Sequence, residues 1–275
     1  MCILFSVKRN PAGRLGSRSR PWYGLRMTGH DKPGRSRADQ ALVDRGLVES
    51  RTRAQALILA GKIYSGTQRI EKAGQPIAAD LPLEVRGQDH PWVSRGGIKL
   101  AHGLAYFGLS PKGRVAVDIG ASTGGFSDVL LAGGAAKVFA VDVGHGQLAW
   151  TLRNDPRVVV MERVNARYLE SLPEAPEVLV CDASFIGLGT ILPAPLALCA
   201  PGAWAIALIK PQFEVGPAIA KGGVVRDAAV HARVCHQIVA WWSSIPGWRV
   251  LGVEPSPITG PEGNREFLIA AEKPA

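Results

Sequence analysis

The apolar positions of this chain follow two regimes. Up to about residue 65 they are spaced as in short amphipathic helices, and from residue 115 they gather into continuous runs bounded by turn residues, as in strands buried on both faces. In "RADQALVDRGLVESRTRAQALILAGKIYSG", which starts at Arg37, Ala38, Ala41 and Leu42 share one helical face. Gly46 interrupts that pattern. Ser50 is placed to cap a second helix whose inner side is Ala54, Leu57 and Ile58. Gly61 ends this helix, and Lys62 to Tyr64 followed by Ser65-Gly66 reads as a short strand entering a turn.

The second regime opens with "GRVAVDIGASTGGFSDVLLAGGAAKVFAVDVGHGQ". Val115 to Val117 predict a strand, "DIGASTGG" a glycine-rich turn, Phe126 to Leu131 a helix and Val138 to Val141 the next strand, which together make a β-α-β unit. A strand from Glu177 to Cys181 ends on Asp182, and "AWAIALIK" ends on Lys210. Asp227 is placed to cap a helix running to about Trp242. Two late strands, near residues 248–254 and 265–271, fit an antiparallel closing hairpin. In "VSRGGIKLAHGLAYF" the pattern predicts a helix with the apolar face Ile98, Ala101, Leu104 and Ala105, and with Lys99 just off that face. The fold class is therefore α/β: a mostly parallel doubly wound sheet with an antiparallel closing strand over residues 94–275, preceded by a small α+β module over residues 36–82. Residues 83–93 read as the linker and residues 1–35 as a basic extension.

Charge sharpens this division. The first 75 of the 275 residues carry a net +10 and the remainder a net −1. A sequence pI near 9.7 built in this way points to a nucleic-acid-facing amino end on a nearly neutral body. A solvated basic tail is the other reading of the first 37 residues. Met27 opens a natural start for the module, so residues 1–26 need not belong to the native chain. Cys2, Cys181, Cys199 and Cys235 show no metal-ligand spacing, which fits a reducing, cytoplasmic compartment and no metal. No apolar run approaches the ~18 to 20 residues of a membrane span, and "MCILFSV" is short for a signal sequence.

The glycine-rich turn lets backbone amides approach a ligand at a helix amino end. Asp118 decides which ligand. A pyrophosphate is ill served by a carboxylate ahead of the first glycine, whereas S-adenosylmethionine, with an ammonium and a sulfonium, suits it. Asp142, at the end of the second strand, is placed to accept ribose hydroxyls. The donor site is thus read as Asp118, Gly120, Ser122, Thr123, Gly124, Gly125, Phe126, Asp142 and Val143. Asp182 and Lys210 stand at the carboxyl ends of successive strands beside it, where open α/β sheets place their chemistry. Taken alone, Lys210 could be a rim lysine reaching solvent.

Two resemblances follow from these motifs. The stretch from Arg37 to Gly66 resembles the S4-type RNA-binding module, with Arg37, Arg45, Arg51, Arg53 and Lys62, and Arg95 beyond it, as the cations expected to meet RNA. Arg51 and Arg53 lie in the first turn of a helix, where the macrodipole disfavours them, which points to a phosphate partner. The set Lys99, Asp182, Lys210 and Glu266 resembles the Lys-Asp-Lys-Glu tetrad of the FtsJ-type ribose 2'-O-methyltransferases. With "SRGGIKL", "VDIGASTGGFSDVLL", "VDVGHGQLAW", "CDASFI", "IKPQFEVG" and "GNREFL" in this order, the chain is similar to the TlyA (haemolysin A) family over residues 36–272. The resemblance implies a Rossmann-like S-adenosylmethionine-dependent methyltransferase that 2'-O-methylates cytidine in 16S or 23S ribosomal RNA, with ribosomal subunits as partners.

The chemistry agrees with that implication. A ribose hydroxyl is a poor nucleophile and the sulfonium an activated leaving group, so the protein must orient and deprotonate the oxygen. Lys210 is expected to do so, with Asp182 positioning it and Lys99 and Glu266 completing the network. A NAD-binding oxidoreductase is disfavoured by Asp118. A non-catalytic ribosome-assembly factor leaves the tetrad unexplained. A membrane-active cytolysin lacks a spanning segment and is expected at most as a secondary role.

Overall fold

The computed structural model describes residues 35–48, 50–86, 90–216, 219–260 and 263–275. Residues 1–34 of the basic extension, Met27 among them, lie outside the described residues, and Arg35, expected in the extension, pairs with Ala78 as the first residue of the small module. Strand β1 (Arg35–Arg37) leads into α1 (Ala38–Asp44) and α2 (Arg51–Leu59), followed by β2 (Ile63–Ser65), β3 (Gln68–Arg69), β4 (Pro76–Ala78) and β5 (Glu84–Val85). Ser50 caps α2 as its position predicts, its Oγ accepting from the Arg53 amide at 3.2 Å. Ala38, Ala41, Leu42, Ala54 and Ile58 close a small core with Ile63, Ile70 and Ile77. Two short sheets flank it: β1 pairs with β4, and β2 pairs with both β3 and β5. Through β5 this module's sheet continues to Val85, past the boundary expected at residue 82. Trp92 and Val93, assigned to the linker by sequence, pack instead on the core of the larger sheet. A two-residue strand offers too few alternating positions to register as a pattern.

The larger portion begins with α3 (Gly96–Phe107) and β6 (Val115–Ile119), then α4 (Gly125–Ala132), β7 (Lys137–Asp142), α5 (Trp150–Arg153), β8 (Val158–Glu162) and β9 (Val178–Cys181). Helices α6 (Leu188–Ile191) and α7 (Pro193–Leu198) lead to β10 (Trp204–Ile209), α8 (Pro211–Glu214), α9 (Ala228–Ser243), β11 (Arg249–Pro255) and β12 (Phe267–Glu272). The seven strands lie in the order β11-β12-β10-β9-β6-β7-β8. They are parallel from β10 to β8, and β12 runs antiparallel to both its neighbours.

Alternate residues of each central strand face opposite helical layers, which explains the unbroken apolar runs. Val117, Leu179, Ala205 and Ile269 pack under α6, α7 and α9, whereas Ala116, Val180, Ile206 and Leu268 pack under α3 and α4. Asp227 caps α9 by accepting from the Ala229 amide at 2.8 Å. The edge strand β8 escaped the sequence reading because none of its residues is fully buried.

Helix α3 corrects the expected apolar face. It buries Gly97, Lys99, Leu100 and Gly103, while Ala105 is exposed and Ile98, Ala101 and Leu104 are only partly buried. The cause lies in the sheet below. Gly103 faces Ile206 and Leu268, Gly97 is covered by Trp92, where a Cβ would fall within 2.3 Å of the indole, and Lys99 turns inward to meet carboxylates. Chain order reverses between β6 and β9, the topological switch where such sheets bind ligands. At that crevice the Asp182 amide donates to the Ile119 carbonyl at 3.1 Å, bringing the ends of the two strands together.

Candidate active site

A cavity of about 640 Å³ opens above this switch point. Its walls include Lys99, Asp182, Lys210 and Glu266, residues far apart in sequence that α3, β9, β10 and the approach to β12 deliver to one place. Lys210 is not a rim residue reaching for water. It is 7% exposed, and its Nζ lies 2.7 Å from Asp182 Oδ1. The same Nζ donates to the Asp182 carbonyl at 3.1 Å and to Ser184 Oγ at 2.9 Å. Lys99 Nζ sits 2.6 Å from Glu266 Oε2 and 3.9 Å from Asp182 Oδ2. Glu266 is therefore the primary partner of Lys99, and Asp182 stands between the two lysines. Three of these groups, Lys99, Lys210 and Glu266, are buried and Asp182 is partly buried; Lys99 donates a hydrogen bond to Glu266, and Lys210 pairs with Asp182 as a close ion pair.

The glycine-rich turn forms the adjoining wall. Gly120, Ser122, Thr123, Gly125 and Phe126 line the cavity. Gly120 has φ +79°, and a Cβ there would come within 2.8 Å of the Ala183 backbone, so no side chain fits. Gly124, at φ +97°, is glycine for a different reason: it backs onto Leu148 and Leu152 rather than facing the cavity.

Asp118 and Val143, like Gly124, do not line the cavity as the donor-site expectation had them. Asp118 is fully buried on the α4 side of the sheet, where its Oδ2 accepts from the Ser127 amide at 3.0 Å and from Ser127 Oγ at 2.7 Å. It thereby anchors the start of α4. Burial, reinforced by the Asp182 and Asp142 charges and opposed by the Ser127 hydrogen bonds, pushes its carboxyl up to about 7. Asp142 also holds the loops around it. Its Oδ2 accepts from the Ser122 amide at 2.8 Å and its Oδ1 from the Gly144 amide at 2.7 Å, leaving one lone pair on each for a further donor. Val143 is exposed at the rim beyond the cavity wall.

Four further residues on this wall were passed over by the sequence reading: Ser184, Phe185, Gln212 and Phe213. Phe185 is 89% exposed with φ +65°, a costly backbone state for a non-glycine residue. Its ring lies 5.1 Å from that of Phe213. The signal was present in "DASFI" and "KPQF", where polar and aromatic residues directly follow the two strand ends.

The arginines of the small module divide by role. Arg37 pairs with the buried Asp39 at 2.9 Å, and Arg51 reaches the same carboxylate at 3.2 Å. The position of Arg51 in the first turn of α2 therefore already has an internal anion. Arg45 is committed to structure, donating to the carbonyls of Leu81, Ala78 and Ala79. Lys62 is partly buried. Arg53 is exposed, and its guanidinium has no partner among the described residues. Arg95, on the cavity wall, donates to the Thr259 carbonyl at 2.7 Å.

Comparison with known proteins places this geometry. The FtsJ-like methyltransferase family model matches residues 92–273. The Bacillus subtilis (strain 168) protein YqxC is 47% identical over 239 residues, covering 86% of this chain and 85% of its own. A Mycobacterium tuberculosis (strain ATCC 25618 / H37Rv) protein named 16S/23S rRNA (cytidine-2'-O)-methyltransferase TlyA is 45% identical, covering 86% of this chain and 89% of its own. A Streptococcus thermophilus protein whose solved structure carries the name hemolysin superposes with a TM-score of 0.69 at 40% identity, covering 88% of this chain and 90% of its own. The chain belongs to the FtsJ-like methyltransferases, within the TlyA (haemolysin A) family.

Proposed function

We propose that this protein is an S-adenosylmethionine-dependent 2'-O-methyltransferase of cytidine in ribosomal RNA, working in the cytoplasm on ribosomal subunits. The observation that carries the reading is the linked Lys99–Glu266–Asp182–Lys210 set, buried but for Asp182, opening onto the same cavity as the glycine-rich turn. The name of the M. tuberculosis relative supports the substrate.

The residues fit the donor. Asp118 Oδ1 accepts no hydrogen bond among the described residues, so this carboxyl, though walled off from the cavity, places a negative group behind the glycine-rich turn that suits a cationic ligand. Gly120, Ser122, Thr123 and Gly125 bring the turn to the cavity wall, and the spare lone pairs of Asp142 suit a ribose diol. S-adenosylmethionine, when bound, supplies an electrophilic methyl group whose carbon–sulfur bond breaks with the electron pair passing to sulfur. The chain itself supplies orientation and a proton acceptor. Lys210, held by Asp182 and neutral before the transfer, receives the proton of the acceptor 2'-hydroxyl; Glu266 balances Lys99 throughout, and the new ammonium balances Asp182. The exposed Phe185 and its neighbour Phe213 offer apolar surface to an unstacked base beside the ribose.

In this reading the small module is an S4-like RNA-binding domain. Arg53 and the outward edges of Arg37 and Arg51 meet phosphate, Lys62 and Arg95 extend the basic surface, and Arg45 holds the module's shape. Incubating the full chain with methyl-labelled S-adenosylmethionine and ribosomal subunits from cells lacking the enzyme tests the function. Nucleoside analysis should recover the label as 2'-O-methylcytidine. Label on a base carbon or nitrogen, or none at all, contradicts the proposal.

A further inference from the structure

We propose that Ser184 is a catalytic proton relay between the acceptor hydroxyl and Lys210; this rests on the reading of Lys210 as the final proton acceptor. Three oxygens surround Lys210 Nζ: Asp182 Oδ1 at 2.7 Å, the Asp182 carbonyl at 3.1 Å and Ser184 Oγ at 2.9 Å. The contacts to the Asp182 carbonyl and Ser184 Oγ are aligned hydrogen bonds of the charged lysine, and the Asp182 Oδ1 contact is a close ion pair without hydrogen-bond alignment. A neutral lysine has two N–H bonds and one lone pair, and the lone pair must then face one of the three oxygens. A carbonyl and a carboxylate have no proton to give. Ser184 does, because its hydroxyl both donates and accepts.

Access leads to the same residue. The Lys210 side chain is 8% exposed, whereas Ser184 is exposed and lines the cavity. A ribose hydroxyl approaching Lys210 directly must displace one of the Asp182 oxygens, at the cost of an unpaired acceptor, or displace Ser184. A hydroxyl that donates to Ser184 Oγ displaces nothing. The neutral amine keeps one hydrogen on the Asp182 carbonyl and turns the other toward the carboxylate, Ser184 donates to its lone pair, and the 2'-hydroxyl donates to Ser184. As the 2'-oxygen forms its bond to the methyl carbon, its proton passes to Ser184 Oγ and the Ser184 proton passes to Lys210 Nζ. Serine ends as it began. The positive charge lost from sulfur reappears on Lys210.

Single-turnover methylation of ribosomal subunits by wild type, Ser184→Ala, Ser184→Thr and Lys210→Ala tests this, with donor calorimetry and thermal melts on each protein. Ser184→Ala should lose about 10²-fold or more in rate, at the lower end of the usual range for general acid–base catalysis. Its melting temperature and donor affinity should match wild type. Ser184→Thr, which keeps the hydroxyl, should be at least tenfold faster than Ser184→Ala. In mixtures of H2O and D2O the wild-type rate should curve with deuterium fraction, as for two protons in flight, and the residual rate of Ser184→Ala should be linear. A Ser184→Ala rate within threefold of wild type, equal rates for the alanine and threonine variants, or a linear wild-type dependence overturns the relay. Retained activity in Lys210→Ala sinks the parent reading instead, whereas loss in Lys210→Ala with retention in Ser184→Ala removes the relay alone.

Discussion

Lys99 Nζ lies 2.6 Å from Glu266 Oε2 with both side chains shut away from water, at 7% and 2% exposure. Such a pair contributes little net stability relative to apolar residues of the same size, but removing one partner strands the other. Lys99→Met should destabilise the protein by about 3 to 5 kcal/mol. The double variant Lys99→Met with Glu266→Leu should recover most of that loss while remaining inactive. Melts showing the double variant no more stable than the single one would argue that the pair is not the source of the cost.

Asp118 makes stability depend on pH in an unusual direction. Its carboxyl is pushed from 3.8 up to about 7, so between those values the folded protein keeps a proton that the unfolded chain releases. Stability should therefore fall as pH rises through that window, by on the order of 4 kcal/mol, and flatten above it. The groups responsible are the apolar burial itself and the Asp182 and Asp142 charges, against the two Ser127 hydrogen bonds. Asp118→Asn should remove the slope between pH 5 and 7.5. It should also weaken the pH-dependent gain in affinity for the cationic donor, which favours the ionised carboxylate. Denaturant titrations of wild type and Asp118→Asn with parallel slopes against pH would contradict this assignment.

The arginines of the small module can be separated in the same way. Arg45→Ala removes three carbonyl contacts that tie residues 78–81 to α1, so it should lower the melting temperature and lose RNA affinity only as the module loosens. Arg53→Ala should leave the melt unchanged and weaken binding to ribosomal subunits, flattening the log–log salt dependence by about one unit. If Arg53→Ala leaves that slope untouched, the phosphate contact lies elsewhere on the module.

Much of this architecture was legible because the strands carrying the site are buried on both faces. The run from Ile206 to Ile209 could only be a central strand, and a lysine at its end had to be in the crevice or at a rim. What sequence could not supply was the third dimension of each carboxylate. Asp118 and Asp142 have the same residue type and similar positions at strand ends, yet one is sealed beneath α4 and the other clamps two loop amides. Lys99 looked peripheral because helical periodicity ranks positions by hydrophobicity, and an inward lysine is explained only by the carboxylate it meets. Ser184 and Gln212 were hidden for the same reason: each follows a strand end and carries no pattern of its own. Strands β5 and β8 show the remaining limit, one being too short and the other too exposed to mark the sequence.

Lys210 bears the central claim, and arginine is its most informative replacement. Guanidinium keeps the positive charge for Asp182 but stays protonated, so it cannot take a proton from a hydroxyl. Single-turnover methylation of ribosomal subunits by Lys210→Arg, with donor affinity measured alongside, should show a loss of about 10² to 10⁴-fold in rate with little change in donor binding. A near-wild-type rate for Lys210→Arg would contradict Lys210 as the proton acceptor.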